Sequence, residues 1–510
     1  MAHGDLPSAD IPLAGEHATL ADAFEAAAEQ FAEREAYVEA GRRLSFGAWH
    51  RAADRLAHAL VAQGVQPGGV VLLHLPSSID YAICYGAIAL AGAVATGVNL
   101  RLGPREIAAI IDTCAPSLII SHDPQALPAG AARARIMSLE AVRRHSAEGR
   151  PLGHRRPQRD AADPVTIIWT SGTTGTPKGA WFDHRNLQAA VRTAGVMTRA
   201  FDRKLPSTPF PHAGYMAKLW EQLAFGVTQV VAAAPWRASD MLRQMRGERI
   251  TSGAGVPTQW MKLMELPELD STPLPQLRLC VTATAPAPPE LVEQVTRRLG
   301  CPMISRYAMT ESPSISGTAP GDDPQVLYRT VGKPQEGIQV SIVDEAGRSL
   351  PRGQVGRLRI KGPCVMRGYW NAPELTRGVL DADGWLTSGD LGYVDPGGNL
   401  VLAGRASDMY IRGGYNVYPL EVENVLLEHP AVAQASVVGL ETPVIGEIGV
   451  AFVVPADPQA PPSLDDLRGW CRARLADYKA PDRLEIIPQL PLTDILKVDK
   501  RALRARLTGK

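Results

Sequence analysis

Residues Thr170-Ser-Gly-Thr-Thr-Gly-Thr-Pro-Lys-Gly179 gather hydroxyls, three glycines and one lysine directly after the apolar stretch Val165-Thr-Ile-Ile-Trp169. An apolar run ending in a glycine-rich turn reads as a buried strand delivering a loop. Without bulky side chains, the loop's backbone N–H groups can approach a phosphate closely, while the hydroxyls and Lys178 add donors and charge. The expected chemistry is a grip on nucleotide phosphates. It is not a Walker A loop, because Pro177 stands five positions after Gly172 and Gly179 follows the lysine. A Ser/Thr/Gly run also suits a solvated turn, and the strand before it and the motifs after it favour the phosphate reading.

Four more segments follow in order: Tyr307-Ala-Met-Thr-Glu311, Thr387-Ser-Gly-Asp390, Gly404-Arg405 with Gly413-Gly-Tyr-Asn-Val-Tyr-Pro-Leu-Glu421, and Pro491-Leu-Thr-Asp-Ile-Leu-Lys497. Together with the first run they resemble the signature of the acyl-adenylate-forming enzymes. That family comprises acyl- and aryl-CoA ligases, luciferases and peptide-synthetase adenylation domains. Weaker resemblance runs from Leu44-Ser-Phe to about Leu503, nearly the whole chain.

In that family a carboxylate attacks the α-phosphate of ATP, pyrophosphate leaves, and the acyl-adenylate then acylates a thiol. A carboxylate approaching a polyphosphate meets strong repulsion, which fixed donors, a cation and a metal must offset. The resemblance implies that Thr170, Ser171, Thr173, Thr174 and Lys178, with Gly172 and Gly175 between them, hold the β- and γ-phosphates. Glu311 offers a hard oxygen to Mg²⁺, Thr310 bonds the α-phosphate, and Tyr307 stacks on adenine. Asp390 accepts from the ribose hydroxyls, Arg405 reaches the ribose or the phosphates at a proposed hinge, and Thr284 joins the nucleotide contacts. Lys497, on a small C-terminal domain, is the catalytic cation of the first step and enters the site only when that domain docks. Gly413 and Gly414 let a backbone pass close to the pantetheine of coenzyme A, and Lys479 contacts its phosphates. Outside the family context, Thr310 and Glu311 read as a helix N-cap pair, Asp390 as a surface-turn acid and Lys497 as an exposed lysine.

Amino-acid-activating relatives carry an aspartate after the phenylalanine of the segment reading Pro209-Phe-Pro-His212 here. Pro211 and His212 take that place, so an amino-acid substrate is not expected. His212, Gly214, Trp260, Ala283, Ala308 and Met309 are expected to border the acyl pocket, together with Gly255-Val-Pro-Thr258. Small and apolar walls suit a hydrophobic, uncharged acyl body. Three departures from the family pattern stand out: Ala308 for a glycine, Ser407 at the hinge, and Leu496 for the glycine before the catalytic lysine.

These residues imply an AMP-forming acid–CoA ligase using ATP, Mg²⁺ and coenzyme A. Two alternatives stay open: a stand-alone enzyme loading a carrier protein's phosphopantetheine, and a non-catalytic nucleotide-binding homologue. A serine hydrolase is disfavoured by the lack of a G-x-S-x-G elbow, and a zinc protease by the lack of H-E-x-x-H.

Such residues need a large scaffold, and 510 residues supply one. Amphipathic spacing over Leu20–Phe31 and Ala53–Val61 alternates with the apolar runs Val70–Leu73, Leu118–Ile120 and Val165–Ile168, as in helix-covered parallel sheets. The loop after Trp169 is read as a strand–loop–helix unit leading to Leu187, Ala190, Val191 and Ala194. After about residue 330, short β-rich runs between Gly/Pro turns suggest a barrel-like subdomain. The expected fold is α/β: an N-terminal domain over 1–404, including a β-rich part over 331–404, and a small mobile α+β domain over 405–510. Lysine plus arginine equals aspartate plus glutamate, at 53 each, which argues against a nucleic-acid surface. Six scattered cysteines, with no C-x-x-C pair, read as buried thiols of a reducing compartment. The N-terminus has no signal-peptide pattern, and the uncharged Tyr81–Val98 reads as a buried helix feeding a strand. A soluble cytoplasmic enzyme is expected, as monomer or homodimer.

Overall fold

The computed structural model describes residues 11–170, 177–206, 208–283, 287–443, 445–493 and 497–508. A seven-stranded sheet runs in the order Gly368–Tyr369, Lys178–Asp183, Pro164–Thr170, Val94–Gly97, Val70–His74, Leu118–Ser121, Arg135–Ser138. From Pro164–Thr170 onward every pairing is parallel. Its central strands are buried at every position, which is why they are mostly apolar along their length.

A nine-stranded sheet runs Lys333–Pro334, Ser312–Gly317, Met303–Met309, Leu279–Ala283, Ser252–Gly255, Arg203–Leu205, Thr228–Val230, Glu35–Glu39, Arg42–Ser45. It is parallel through the middle and antiparallel at both edges. Helices Leu20–Gln30, Phe46–Ala62, Ile79–Leu90 and Leu219–Phe225 contribute to the main core with strands of both sheets. Helix Leu20–Gln30 opens on a capping box between Thr19 and Asp22. Helix Ile79–Leu90 is buried along its whole length and feeds strand Val94–Gly97, as the uncharged stretch implied. No described helix is long and apolar enough to cross a membrane.

The segment expected to be barrel-like is an open antiparallel sheet in the order Gln339–Val343, Gly356–Lys361, Leu386–Val394, Leu400–Arg405. Four strands are too few to close on themselves, and Gly368–Tyr369 leaves to pair with Lys178–Asp183. The chain changes sheets between Arg405 and Tyr410. The last sheet holds Tyr415–Val417, Tyr410–Arg412, Gly446–Pro455 and Val432–Thr442, with Arg483–Ile486 parallel to Gly446–Pro455. Helices Pro419–Leu427 and Leu464–Arg472 cover it through Val422, Leu426 and Leu467. All six cysteines are free and buried.

Candidate active site

The glycine-rich loop does not lead into a helix. Strand Pro164–Thr170 pairs antiparallel with Lys178–Asp183, and Thr170 faces Lys178 in register. The motif therefore joins two antiparallel neighbouring strands, and helix His184–Arg192 begins only after the second strand. The expected strand–loop–helix order is corrected here: proline and two glycines disguise the start of an apolar strand, Ala180-Trp-Phe182. Ser171, Gly172, Thr173, Thr174 and Gly175 lie outside the described residues, as do Thr284 and Leu496.

Thr310 and Glu311 form the tight turn between strands Met303–Met309 and Ser312–Gly317, with Met309 paired to Ser312. A hairpin turn, not a helix N-cap, presents them. The Tyr369 hydroxyl donates to Glu311 Oε1 at 2.8 Å, and Lys178 Nζ lies 5.6 Å from the centre of the Tyr369 ring. Burial and the neighbouring Glu311 push the Tyr369 phenol well above its ordinary range, so it stays a donor at any physiological pH. One carboxylate steadied by a phenol suits Mg²⁺, which keeps several waters and draws its other ligands from substrate phosphates. The residues present thus fit that ion. Among the described residues no cluster of three or more His, Cys, Asp or Glu offers a tighter cage.

Tyr369 was absent from the sequence reading, because a two-residue strand leaves no periodicity to detect. Tyr369→Phe is expected to raise the Mg²⁺ concentration that half-saturates ATP binding by about tenfold or more, the usual scale for a lost partner of a metal-binding carboxylate. Titrating ATP affinity against Mg²⁺ measures this directly, and a purely structural role would leave that midpoint in place.

A second group of side chains meets nearby. The Tyr307 hydroxyl donates to Asp390 Oδ2 at 2.5 Å, and Arg405 Nε lies 3.4 Å from Asp390 Oδ1. Asp390 and Arg405 are cross-strand partners, and Ser388 Oγ accepts from the Asp390 N–H at 3.1 Å. Lys497 lies beside an antiparallel bridge: the Thr493 N–H donates to its carbonyl at 2.7 Å, and Leu492 bridges Val498. Burial, and then the positive charge of Arg405, lower the Lys497 ammonium to about 8, with Asp390 opposing. His212 is pushed down to about 4 by burial and by the field of Lys497, so its ring is neutral at pH 7. The C-terminal lysine thus stands among His212, Arg405 and Asp390, which come from three other parts of the chain.

The segment carrying His212 is pinned by aromatic packing. Phe210 stacks on Tyr215 with centroids 3.7 Å apart, Tyr81 meets both rings edge-on, and the Tyr215 hydroxyl bonds Tyr37 at 2.8 Å. Such pairs add about 0.5–1.5 kcal/mol each beyond area burial. His212 Nε2 lies 3.3 Å from Asn99 Nδ2.

Gly214 and Ala308 are exposed, while Ala283 and Met309 are half-buried. Trp260 departs from expectation. It is fully buried, its indole N–H donating to the carbonyls of Gly255 and Val281 at 3.2 Å each. A large aromatic between small residues reads as a pocket wall, yet here it packs beneath the strand that carries Gly255. Two cations escaped an inventory of small apolar residues. Arg306 is 8 % exposed on the strand that bears Tyr307, and Lys218 begins helix Leu219–Phe225.

On the C-terminal sheet, Gly413 (φ +56°) and Gly414 (φ +87°) form a two-residue hairpin turn between Tyr410–Arg412 and Tyr415–Val417. Positive φ at both central positions is the requirement of a type I′ turn, which explains the pair. Exposed Tyr415 stacks on Tyr478 with centroids 4.5 Å apart. Lys479 is neither free nor simply solvated, its ammonium lying 2.7 Å from both oxygens of Glu421.

The family described as AMP-binding enzyme matches residues 24–370, and its C-terminal domain family matches residues 421–497. The chain is 34 % identical over 477 residues to a feruloyl-CoA synthase of Amycolatopsis, covering 91 % of this chain and 94 % of that one. It is 32 % identical over 487 residues to the fatty acid–[acyl-carrier-protein] ligase ScoC of Streptomyces coeruleorubidus, covering 92 % of each. Among solved structures, the anthranilate CoA ligase AuaEII in complex with anthranoyl-AMP superposes with a TM-score of 0.89 at 26 % identity, over 99 % of this chain and 100 % of that one. With strands, hairpin turns and C-terminal lysine laid out as above, the chain belongs to the AMP-binding enzyme family of ATP- and Mg²⁺-using acid–thiol ligases.

Proposed function

We propose that this protein activates a carboxylic acid with an apolar body as its acyl-adenylate, releasing pyrophosphate, and then transfers the acyl group to coenzyme A. The observation that carries this reading is the position of Lys497 among Asp390, Arg405 and His212. A point charge there opposes the repulsion between an incoming carboxylate and the phosphate chain. In this reading Asp390 accepts from the ribose diol, and Tyr307, anchored through Asp390, presents its ring to the base. Thr170, Lys178 and the loop between them hold the outer phosphates. Glu311 holds Mg²⁺, which supplies positive charge to the phosphate oxygens. Neutral His212 borders the acyl group without adding charge to a crowded site.

The division falls between a main body over 1–404 and a second one over 405–510. It is supported by the sheet change after Arg405 and by the turn in which the Asp408 and Met409 N–H groups both donate to the Arg405 carbonyl. Rotation about that turn would withdraw Lys497 and bring the Gly413–Gly414 hairpin to the thiol half-reaction.

The test is acid-dependent AMP formation with free coenzyme A, read together with the acyl-CoA product by mass spectrometry. Acyl-CoA formation is the expected result. Turnover only with a phosphopantetheine-bearing carrier protein would shift the reading to a loading enzyme, which the resemblance to ScoC makes the second candidate.

A further inference from the structure

Arg306 is an interior arginine without a carboxylate. Its Nη2 donates to the Thr193 carbonyl at 3.0 Å and to Ser314 Oγ at 3.4 Å. Among the described residues Nε and Nη1 make no hydrogen bond, and no acid lies within ion-pair distance. Gly317, its cross-strand partner, makes room for it, since a Cβ there would lie 2.5 Å from Arg306 Cδ. The carboxylate whose field reaches Arg306 is Glu221, which is already engaged. Lys204 Nζ lies 2.9 Å from one Glu221 oxygen and Lys218 Nζ 3.3 Å from the other, and the Lys218 ammonium makes no hydrogen bond. Lys204 and Lys218 thus already engage the one acid whose field reaches Arg306.

A poorly paired interior charge is costly to desolvate, so an anion that neutralises it is favoured there. The placement is informative. Arg306 faces Ala283 across the parallel ladder, and directly opposed residues of a ladder share a sheet face, as does Ala308 two positions on. Lys218 lies six residues beyond His212, past the single turn Ala213–Met216 and at the start of helix Leu219–Phe225. Arg306 thus shares the sheet face of Ala283 and Ala308, the wall at which the acid would lie in the proposed reading.

We propose that the acid activated here carries a second anionic group at its far end, received by the Arg306 guanidinium. This rests on the acid-activating reading above, and it replaces the expectation of an uncharged acyl body with an apolar middle and an anionic tail. A fork of parallel N–H donors suits a carboxylate or sulfonate.

The experiment compares isosteric acids in pyrophosphate exchange into ATP with the full chain: hexanoate against adipate, and para-toluate against terephthalate. At least one diacid is expected to exceed its monoacid in kcat/KM by about tenfold or more, the scale of a charged hydrogen bond. Arg306→Met is expected to collapse that ratio, and Arg306→Lys to retain part of it. Better or equal use of both monoacids by the wild-type chain would overturn the proposal, as would a diacid preference surviving Arg306→Met. Absence of exchange with every acid would instead contradict the acid-activating reading itself.

Discussion

Lys497→Ala is expected to lower acid-dependent pyrophosphate exchange by about 10²–10³, the usual loss when one preorganised donor to developing charge is removed. ATP binding should change far less, because Lys178, Asp390 and Glu311 belong to other segments and stay in place. Conversion of preformed acyl-adenylate and coenzyme A to thioester should be nearly unaffected, since in the proposed reading that half-reaction proceeds with Lys497 withdrawn. The same residue sets a pH limb. Its ammonium is lowered to about 8 by burial and by Arg405, so the useful cation is present below that pH and lost above it. Exchange should therefore fall as pH rises through about 8, and Lys497→Arg, which stays charged, should move that limb upward.

Glu311→Gln is expected to reduce exchange by about 10²–10³, corresponding to the several kcal/mol a bound metal contributes through charge stabilisation. Glutamine keeps the shape and can still accept from the Tyr369 hydroxyl, so the hairpin turn should survive. What disappears is the negative oxygen for Mg²⁺. Raising Mg²⁺ should recover part of the activity of Tyr369→Phe but little of that of Glu311→Gln. Equal rescue of both variants would show that the carboxylate is structural. Initial rates over an Mg²⁺ series in the two variants make the comparison.

Much of the architecture was legible because buried strands announce themselves as apolar runs: Val70–His74, Leu118–Ser121 and Pro164–Thr170 contain the runs Val70–Leu73, Leu118–Ile120 and Ile167–Trp169. The residues Tyr307, Asp390, Arg405 and Lys497, far apart along the chain, are brought to one place. Four things were not legible, for physical reasons. The strand Lys178–Asp183 begins inside a proline- and glycine-bearing motif, so its pairing with Pro164–Thr170 is hidden. Whether Trp260 faces a pocket or a core depends on which side of a strand its helix packs, and residue type does not encode that. Nothing in the sequence marks Arg306 and Lys218 out from other charged residues, and only the fold shows how little of either is exposed. Tyr369 gains meaning only when a two-residue strand carries it to Glu311.

The central claim is that this site joins an acid to AMP before any thiol is involved. Exchange of labelled pyrophosphate into ATP, measured without coenzyme A, tests it most directly. Label should enter ATP when both a carboxylic acid and Mg²⁺ are supplied, and should stop when either is withheld. Label incorporation that ignores the acid, or that requires the thiol, would contradict the account.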